Sequence, residues 1–244
     1  MNGSVLLVTN RGGIYGTGHH NRMCLLKERL QETGITAEVV FSRDLAGIAD
    51  LPPVVLLDSR DDEFPAAALQ RKTAGHYFIA VDNRGRGRGQ GDITWDTLPH
   101  MQMNEAELQI SLKNCILDPV IVNAGALPET SAKTSKIWQM SLKEIEALTE
   151  PVDLIQYASN LRASLDKAEF HRRLVHSKRI ATYYGQTFFE ALFLGREIYL
   201  YDISDYHKEL ADWFTKRWND KPELARVLDG GGLNRLAAFI ASRI

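Results

Sequence analysis

With 244 residues, 44% of them hydrophobic and 25% charged, the chain can bury one large core or two small ones. A formal net charge of -2 removes the electrostatic case for a nucleic-acid partner. The sequence has no apolar run of membrane-spanning length, and Cys24 and Cys115 are too few for a disulfide framework and lack metal-ligand spacing. A cytoplasmic protein without membrane insertion is therefore expected.

In chain order, apolar and β-branched runs predict strands at Val5–Thr9, Ala37–Phe41, Val54–Asp58 and His76–Asp82. Helical stretches fall between them at His20–Thr33, Arg43–Ala49 and Glu63–Thr73, the first stopping at Gly34 and the last near Gly75. Strands alternating with helices indicate βαβ units and a parallel sheet. Arg84–Gly91, rich in Arg and Gly, reads as a solvated loop; a short strand, Asp92–Trp95, and a helix, Asn104–Leu112, follow. Asn123–Ser135 is small, polar and proline-containing, which is linker chemistry.

Beyond it, strands are expected at Ile137–Met140, Leu154–Ala158, Arg179–Tyr183 and Ile198–Asp202. Helices are expected at Leu142–Leu148, Leu161–His176, Thr187–Leu194, Tyr206–Trp218 and Leu233–Ser242. The expectation is two Rossmann-like, doubly wound α/β domains, 1–123 and 136–244, facing a central cleft of the kind that favours ligands.

Three constellations carry potential chemistry. Gly16-Thr17-Gly18-His19-His20-Asn21-Arg22 follows the first strand and opens a helix, where free backbone N–H groups attract anions. Gly16 and Gly18 let the chain turn tightly and a ligand approach closely. An imidazole titrates close to neutrality, so His19 is a candidate general base. Arg22, three residues on, shares its helical face and can brace that site, meet a phosphate or lie in solvent.

Gly185-Gln186-Thr187-Phe188-Phe189-Glu190 follows the strand Arg179–Tyr183. It reads either as a capping box, with Thr187 and Glu190 satisfying helix N–H groups, or as a nucleotide site. In the second reading Thr187 and backbone meet a diphosphate, and Glu190 accepts from ribose hydroxyls. Asp82-Asn83 closes the fourth strand and either starts a turn or orients a sugar or a neighbouring His. His171 and His176 read as surface residues of an Arg-rich helix.

In their order along nearly the whole chain, these motifs resemble the nucleotide-sugar hydrolases of pseudaminic-acid biosynthesis and their relatives in spore-coat polysaccharide synthesis, small GT-B glycosyltransferase-like proteins. The resemblance rests on Gly16-Thr17-Gly18-His19-His20-Asn21-Arg22-Met23-Cys24, with one residue inserted before the Cys. It rests also on Val81-Asp82-Asn83 with Gly91-Asp92-Ile93, on Gly185, Thr187, Glu190 and Gly195, and on Leu228-Asp229-Gly230-Gly231-Gly232. Asn83 stands where the family has a second Asp, Ile137–Ser141 has no Asp-Pro phosphate loop, and His207 lies nearest the position of a missing Asn-Gln pair.

What the resemblance implies is a GT-B-like fold with a shortened second domain and hydrolysis of a nucleotide-linked amino-sugar, UDP the leading nucleotide, for surface-glycan or nonulosonic-acid synthesis. His19, Asp82 and Asn83 would be catalytic; Gly16, Gly18, Arg22, Gly185, Thr187, Glu190 and His207 would bind the substrate. No cofactor or metal is implied. The alternatives are a GT-B glycosyltransferase using a sugar or lipid acceptor, and a non-catalytic sugar-nucleotide-binding protein.

Overall fold

In the computed structural model, residues 3–10, 18–58, 75–83, 88–125, 135–158 and 165–244 are described. Five strands form the first sheet: β1 (Ser4–Thr9), β2 (Thr36–Phe41), β3 (Val54–Asp58), β4 (Tyr77–Val81) and β5 (Ile93–Trp95). Their order is β2-β1-β3-β4-β5 and every pairing is parallel. Alternate side chains serve opposite faces. Val5, Leu7, Val54, Leu56, Ile79 and Val81 enter one core, and Leu6, Val8, Val55, Leu57 and Phe78 enter another. A parallel sheet covered on both faces needs such unbroken apolar runs, and for that reason the strands are legible in the sequence.

Helix α1 (Gly18–Glu32) follows β1 and buries Met23, Leu25, Leu26 and Leu30 against the first of those cores. It ends as expected: Gly34 adopts a φ of +82°, and the N–H groups of Gly34 and Ile35 bond back to Gln31 and Leu30. The expected helix at 43–49 is instead a short 3-10 turn, Ser42–Gly47, seated by buried Leu45. The helix expected at Glu63–Thr73 and most of the linker expected at Asn123–Ser135 lie outside the described residues.

The second sheet contains β6 (Ile137–Gln139), β7 (Leu154–Ile155), β8 (Arg179–Thr182) and β9 (Glu197–Leu200), parallel in the order β6-β9-β8-β7. Around it the chain forms α2 (Glu105–Asn114), α3 (Pro119–Gly125), α4 (Leu142–Glu146), α5 (Lys167–His176), α6 (Gln186–Phe193) and α7 (Asp205–Asp220). Helix α3 is not anticipated by the sequence reading; Asp118 starts it by accepting from the Val120 N–H. Aromatic rings fill this core. Tyr184, Phe188, Phe189, Phe214 and Trp218 are buried and stack edge-on or offset, with Phe188 and Phe189 centroids 5.1 Å apart.

The chain divides into two compact units: Met1–Leu98 with Asn114–Ile116 and Gly231–Ile244, and Pro99–Lys113 with Leu117–Gly230. This differs from the 1–123 and 136–244 division read from the linker. The physical cause is the last helix, α8 (Gly232–Ala241), whose Leu233, Leu236, Ala237 and Ile240 are buried in the core of the first unit. Among the described residues no helix is long and apolar enough to cross a membrane.

Candidate active site at the carboxyl end of the first sheet

The first sheet reverses its direction of winding at β1: one neighbour, β2, lies on one side, and β3 on the other. Crevices at such reversals, outside the carboxyl ends of the strands, are where open α/β sheets take ligands. Thr9, the last residue of β1, is in register with Asp58, the last residue of β3. The first turn of α1 places His19 over that junction.

There His19 Nδ1 lies 2.5 Å from Asp58 Oδ1. A carboxylate can only accept, so Nδ1 carries the proton and donates it, leaving Nε2 with its lone pair. Arg22 lies one turn along α1 and donates to the same carboxylate, Nη2 to Oδ1 at 2.8 Å and to Oδ2 at 3.0 Å, with Nε at 3.3 Å from Oδ2. The 3.1 Å approach of Arg22 Nη2 to His19 Nδ1 sets two donors side by side on one acceptor and is not itself a hydrogen bond. Asp58 is fully buried and Arg22 is 1% exposed, whereas the His19 side chain keeps 12% of its surface in contact with solvent.

A second carboxylate completes the cluster. Asp82 Oδ2 lies 3.0 Å from Arg22 Nη2. Its Oδ1 accepts from the N–H groups of Thr97 (2.6 Å) and Leu98 (3.0 Å), and its Oδ2 accepts from the Thr97 hydroxyl at 2.5 Å. Asp82 holds this position with a φ of +49°, a left-handed conformation uncommon outside glycine. Burial alone would raise the Asp58 carboxyl, but the charges and hydrogen bonds of Arg22 and His19 outweigh it and hold the group below the ordinary Asp range. Burial works against the Arg22 cation, yet Asp58 and Asp82 together drive its pKa up.

The predicted site residues separate accordingly. His19 stands at the carboxyl ends of β1 and β3, and Gly18 is the first residue of α1; Gly16 lies outside the described residues. Of the uses open to Arg22, the structure shows bracing: buried between two carboxylates, it is neither solvated nor presented to a phosphate. Asp82 does not touch His19; Asp58 does, and the sequence reading passed over Asp58 as the end of an apolar strand. The available signal was an acid terminating the apolar run Val54-Val55-Leu56-Leu57. Asn83 is buried, and its carbonyl accepts from Arg88 at 3.1 Å. Arg88 also makes a two-pronged pair with Asp96, 2.7 Å on each arm, so this end of the Arg/Gly segment is anchored rather than solvated.

In the second unit, α6 begins at Gln186 with Gly185 as its cap and no side-chain cap bond, so the expected capping box of Thr187 and Glu190 is not formed. Thr187 is buried and Glu190 is 2% exposed. Gln186 donates to the Glu190 carboxyl at 3.1 Å. Burial, assisted by the charge of nearby Asp118, lifts that carboxyl to about 7. Asp118 in turn meets Lys167 at 2.9 Å and His171 at 3.6 Å, so His171 is a buried partner and not the surface residue expected. His207 shares a hydrogen bond with Ser204 at the start of α7 and stands edge-on to Tyr183. Among the described residues no grouping of three or more His, Cys, Asp or Glu side chains is arranged to hold a metal.

No protein-family model matches the chain, and no curated protein matches it. Among solved structures it is similar to a Listeria monocytogenes protein assigned as a UDP-N-acetylglucosamine 2-epimerase. The match has 14% identity and a TM-score of 0.48 and covers 99% of this chain and 96% of that one, a likeness too distant to assign chemistry.

Proposed function

We propose that the chain is a nucleotide-sugar hydrolase in which His19, oriented by Asp58, acts as general base at the crevice of the first sheet. The observation that carries this reading is the 2.5 Å contact between His19 Nδ1 and buried Asp58, which leaves Nε2 as the acceptor on the most exposed of the described cluster residues. In the reaction, Nε2 takes a proton from water as the water oxygen bonds to the anomeric carbon. The bond from that carbon to the diphosphate oxygen breaks, and the nucleoside diphosphate leaves with its electrons. Asp58 holds the ring in one tautomer and stabilises the imidazolium as it forms. With His19 protonated, two cations face two carboxylates and the cluster carries no net charge.

The nucleotide half of the reading uses the segment at the start of α6. Gly185 and Thr187 would meet the diphosphate at a helix N-terminus that lacks a side-chain cap. Glu190 would serve the ribose hydroxyls by accepting their hydrogen bonds at its carboxyl oxygens. The sequence resemblance supports UDP as the nucleotide and an amino-sugar as its partner.

The test is turnover of UDP-, CMP- and GDP-linked sugars by the wild type and by His19→Ala, alongside thermal shifts with each ligand. A ligand that binds only the folded state raises its apparent stability. The expected result is free sugar released without any acceptor, with kcat lowered about 10²–10⁴-fold in His19→Ala and KM little changed. Release that depends strictly on an added acceptor would mean a transferase. A thermal shift without consumption would mean a binding protein, and equal turnover by the variant would remove His19 from the chemistry.

A further inference from the structure

Two buried carboxylates clasp one buried arginine behind His19, and general-base chemistry by His19 and Asp58 does not by itself require the second. We infer that Arg22 and Asp82 are positioning residues: Asp82, fixed by Thr97 and Leu98, sets the Arg22 guanidinium, and Arg22 sets the rotation of the Asp58 carboxylate that orients His19. The inference deepens the hydrolase reading and rests on it only for its kinetic consequences.

The geometry runs in one direction, from rigid to responsive. Thr97 and Leu98 contribute two backbone N–H groups and one hydroxyl to Asp82, at 2.6, 3.0 and 2.5 Å, so Oδ1 is tied to the main chain and Oδ2 to the Thr97 side chain. Thr97 is fully buried, and Asp82 is held in its left-handed conformation at the end of β4. Such a backbone persists where the surroundings over-determine it. Arg22 spans the gap. Its Nη2 reaches Asp82 Oδ2 at 3.0 Å and Asp58 Oδ1 at 2.8 Å, while Nε turns toward Asp58 Oδ2.

A planar guanidinium that contacts both oxygens of a carboxylate fixes its rotation, which an ammonium acting as a point charge cannot do. Asp58 Oδ1 therefore faces His19 Nδ1 in one orientation. A single carboxylate–arginine pair would neutralise charge equally well; the second acid and its three donors add direction. Arg22, Asp82 and Thr97 are all buried, and His19 is the most exposed member of the cluster.

Arg22→Lys keeps the buried charge and loses the planar fork, so it separates orientation from neutralisation. Two measurements decide the matter. The first is ¹⁵N NMR of the His19 ring in the ligand-free protein, which reads the tautomer without any turnover. The wild type is expected to show the proton on Nδ1, and Arg22→Lys a mixture with Nε2-protonated ring. The second is a kinetic cycle of Arg22→Lys and Asp58→Asn. Arg22→Lys alone is expected to lower kcat by up to about 10²-fold with KM within threefold, the scale of a misplaced reacting group. In the Asp58→Asn background it is expected to add almost nothing, because it acts through Asp58.

Thr97→Val, nearly isosteric and without a change of charge, is the milder variant and is expected to move both measurements in the same direction by less. If Arg22→Lys fails to fold, Thr97→Val alone decides. Independent, multiplying losses together with an unchanged ring tautomer would overturn the inference. A tautomer shift in a protein that hydrolyses no nucleotide-sugar would uphold the positioning chain and overturn the hydrolase reading.

Discussion

Asp58 shows how much chemistry one carboxylate can hold when every lone pair is directed. Its two oxygens face Arg22 on one side, and Oδ1 also faces His19. Asp58→Asn keeps the shape and changes the donors. The amide carbonyl would stay with Arg22, whose groups only donate, and the amide nitrogen would turn to His19. That nitrogen also donates, so the ring must present Nδ1 as acceptor and carry its proton on Nε2, where no base remains. The expected outcome is a folded protein whose kcat drops about 10²–10⁴-fold, measured on whichever nucleotide-sugar the wild type consumes. The same residue sets an acid limit to stability. Its folded pKa is depressed, so its contribution is full above the unfolded value of about 3.9 and is lost as pH falls through the folded one. Wild type and Asp58→Asn are expected to converge in denaturant midpoint as the pH is taken below that value. A constant gap would assign the difference to packing.

At the scale of elements, strands and helix stops were legible and partners across the sheet were not. Val5–Thr9 and Val54–Asp58 are apolar runs that any reading by periodicity finds, and Gly34 ends α1 for a reason written in its own φ. That Thr9 lies beside Asp58 is a property of strand order, β1 next to β3, and no local pattern encodes it. His19 was visible because it follows a glycine loop; Asp58 was hidden because its meaning depends on that pairing.

Helix α6 gives a similar lesson. Thr187 and Glu190 have the spacing of a capping box, yet the helix starts one residue earlier, at Gln186, and turns Glu190 into the interior. Burial lifts the Glu190 carboxyl above its unfolded pKa, so the folded state binds the extra proton between about 4.3 and about 7. Stability from this group is full below the lower value and declines as pH rises through the upper, by at most about 4 kcal/mol. Glu190→Gln, which keeps the shape without the ionisation, is expected to gain stability relative to wild type between pH 5 and pH 8. Chemical denaturation at several pH values measures it, and a difference that does not change with pH would mean that Glu190 is ionised and paired in the folded protein.

For the whole molecule, the decisive feature is that the first unit is built from both ends of the chain. Helix α8 supplies Leu233, Leu236, Ala237 and Ile240 to the core that also holds Leu7, Leu26, Leu30 and Leu56. The site residues His19 and Asp58 stand on α1 and β3, two of the elements that line that core, so the crevice depends on residues more than 170 positions away. Leu236 is fully buried, and its truncation to Ala is expected to cost about 2–5 kcal/mol, the transfer of the side chain plus the cavity left behind. Where that loss appears is the sharper question. Local stabilities follow cooperative units, and amide hydrogen exchange resolves them. If the two units open independently, Leu236→Ala lowers protection at Leu7 in β1 and Leu56 in β3 and leaves Ala181 in β8 and Tyr199 in β9 as protected as in the wild type. An equal fall at all four amides would instead make the protein one cooperative unit, in which a lesion in either core reaches His19.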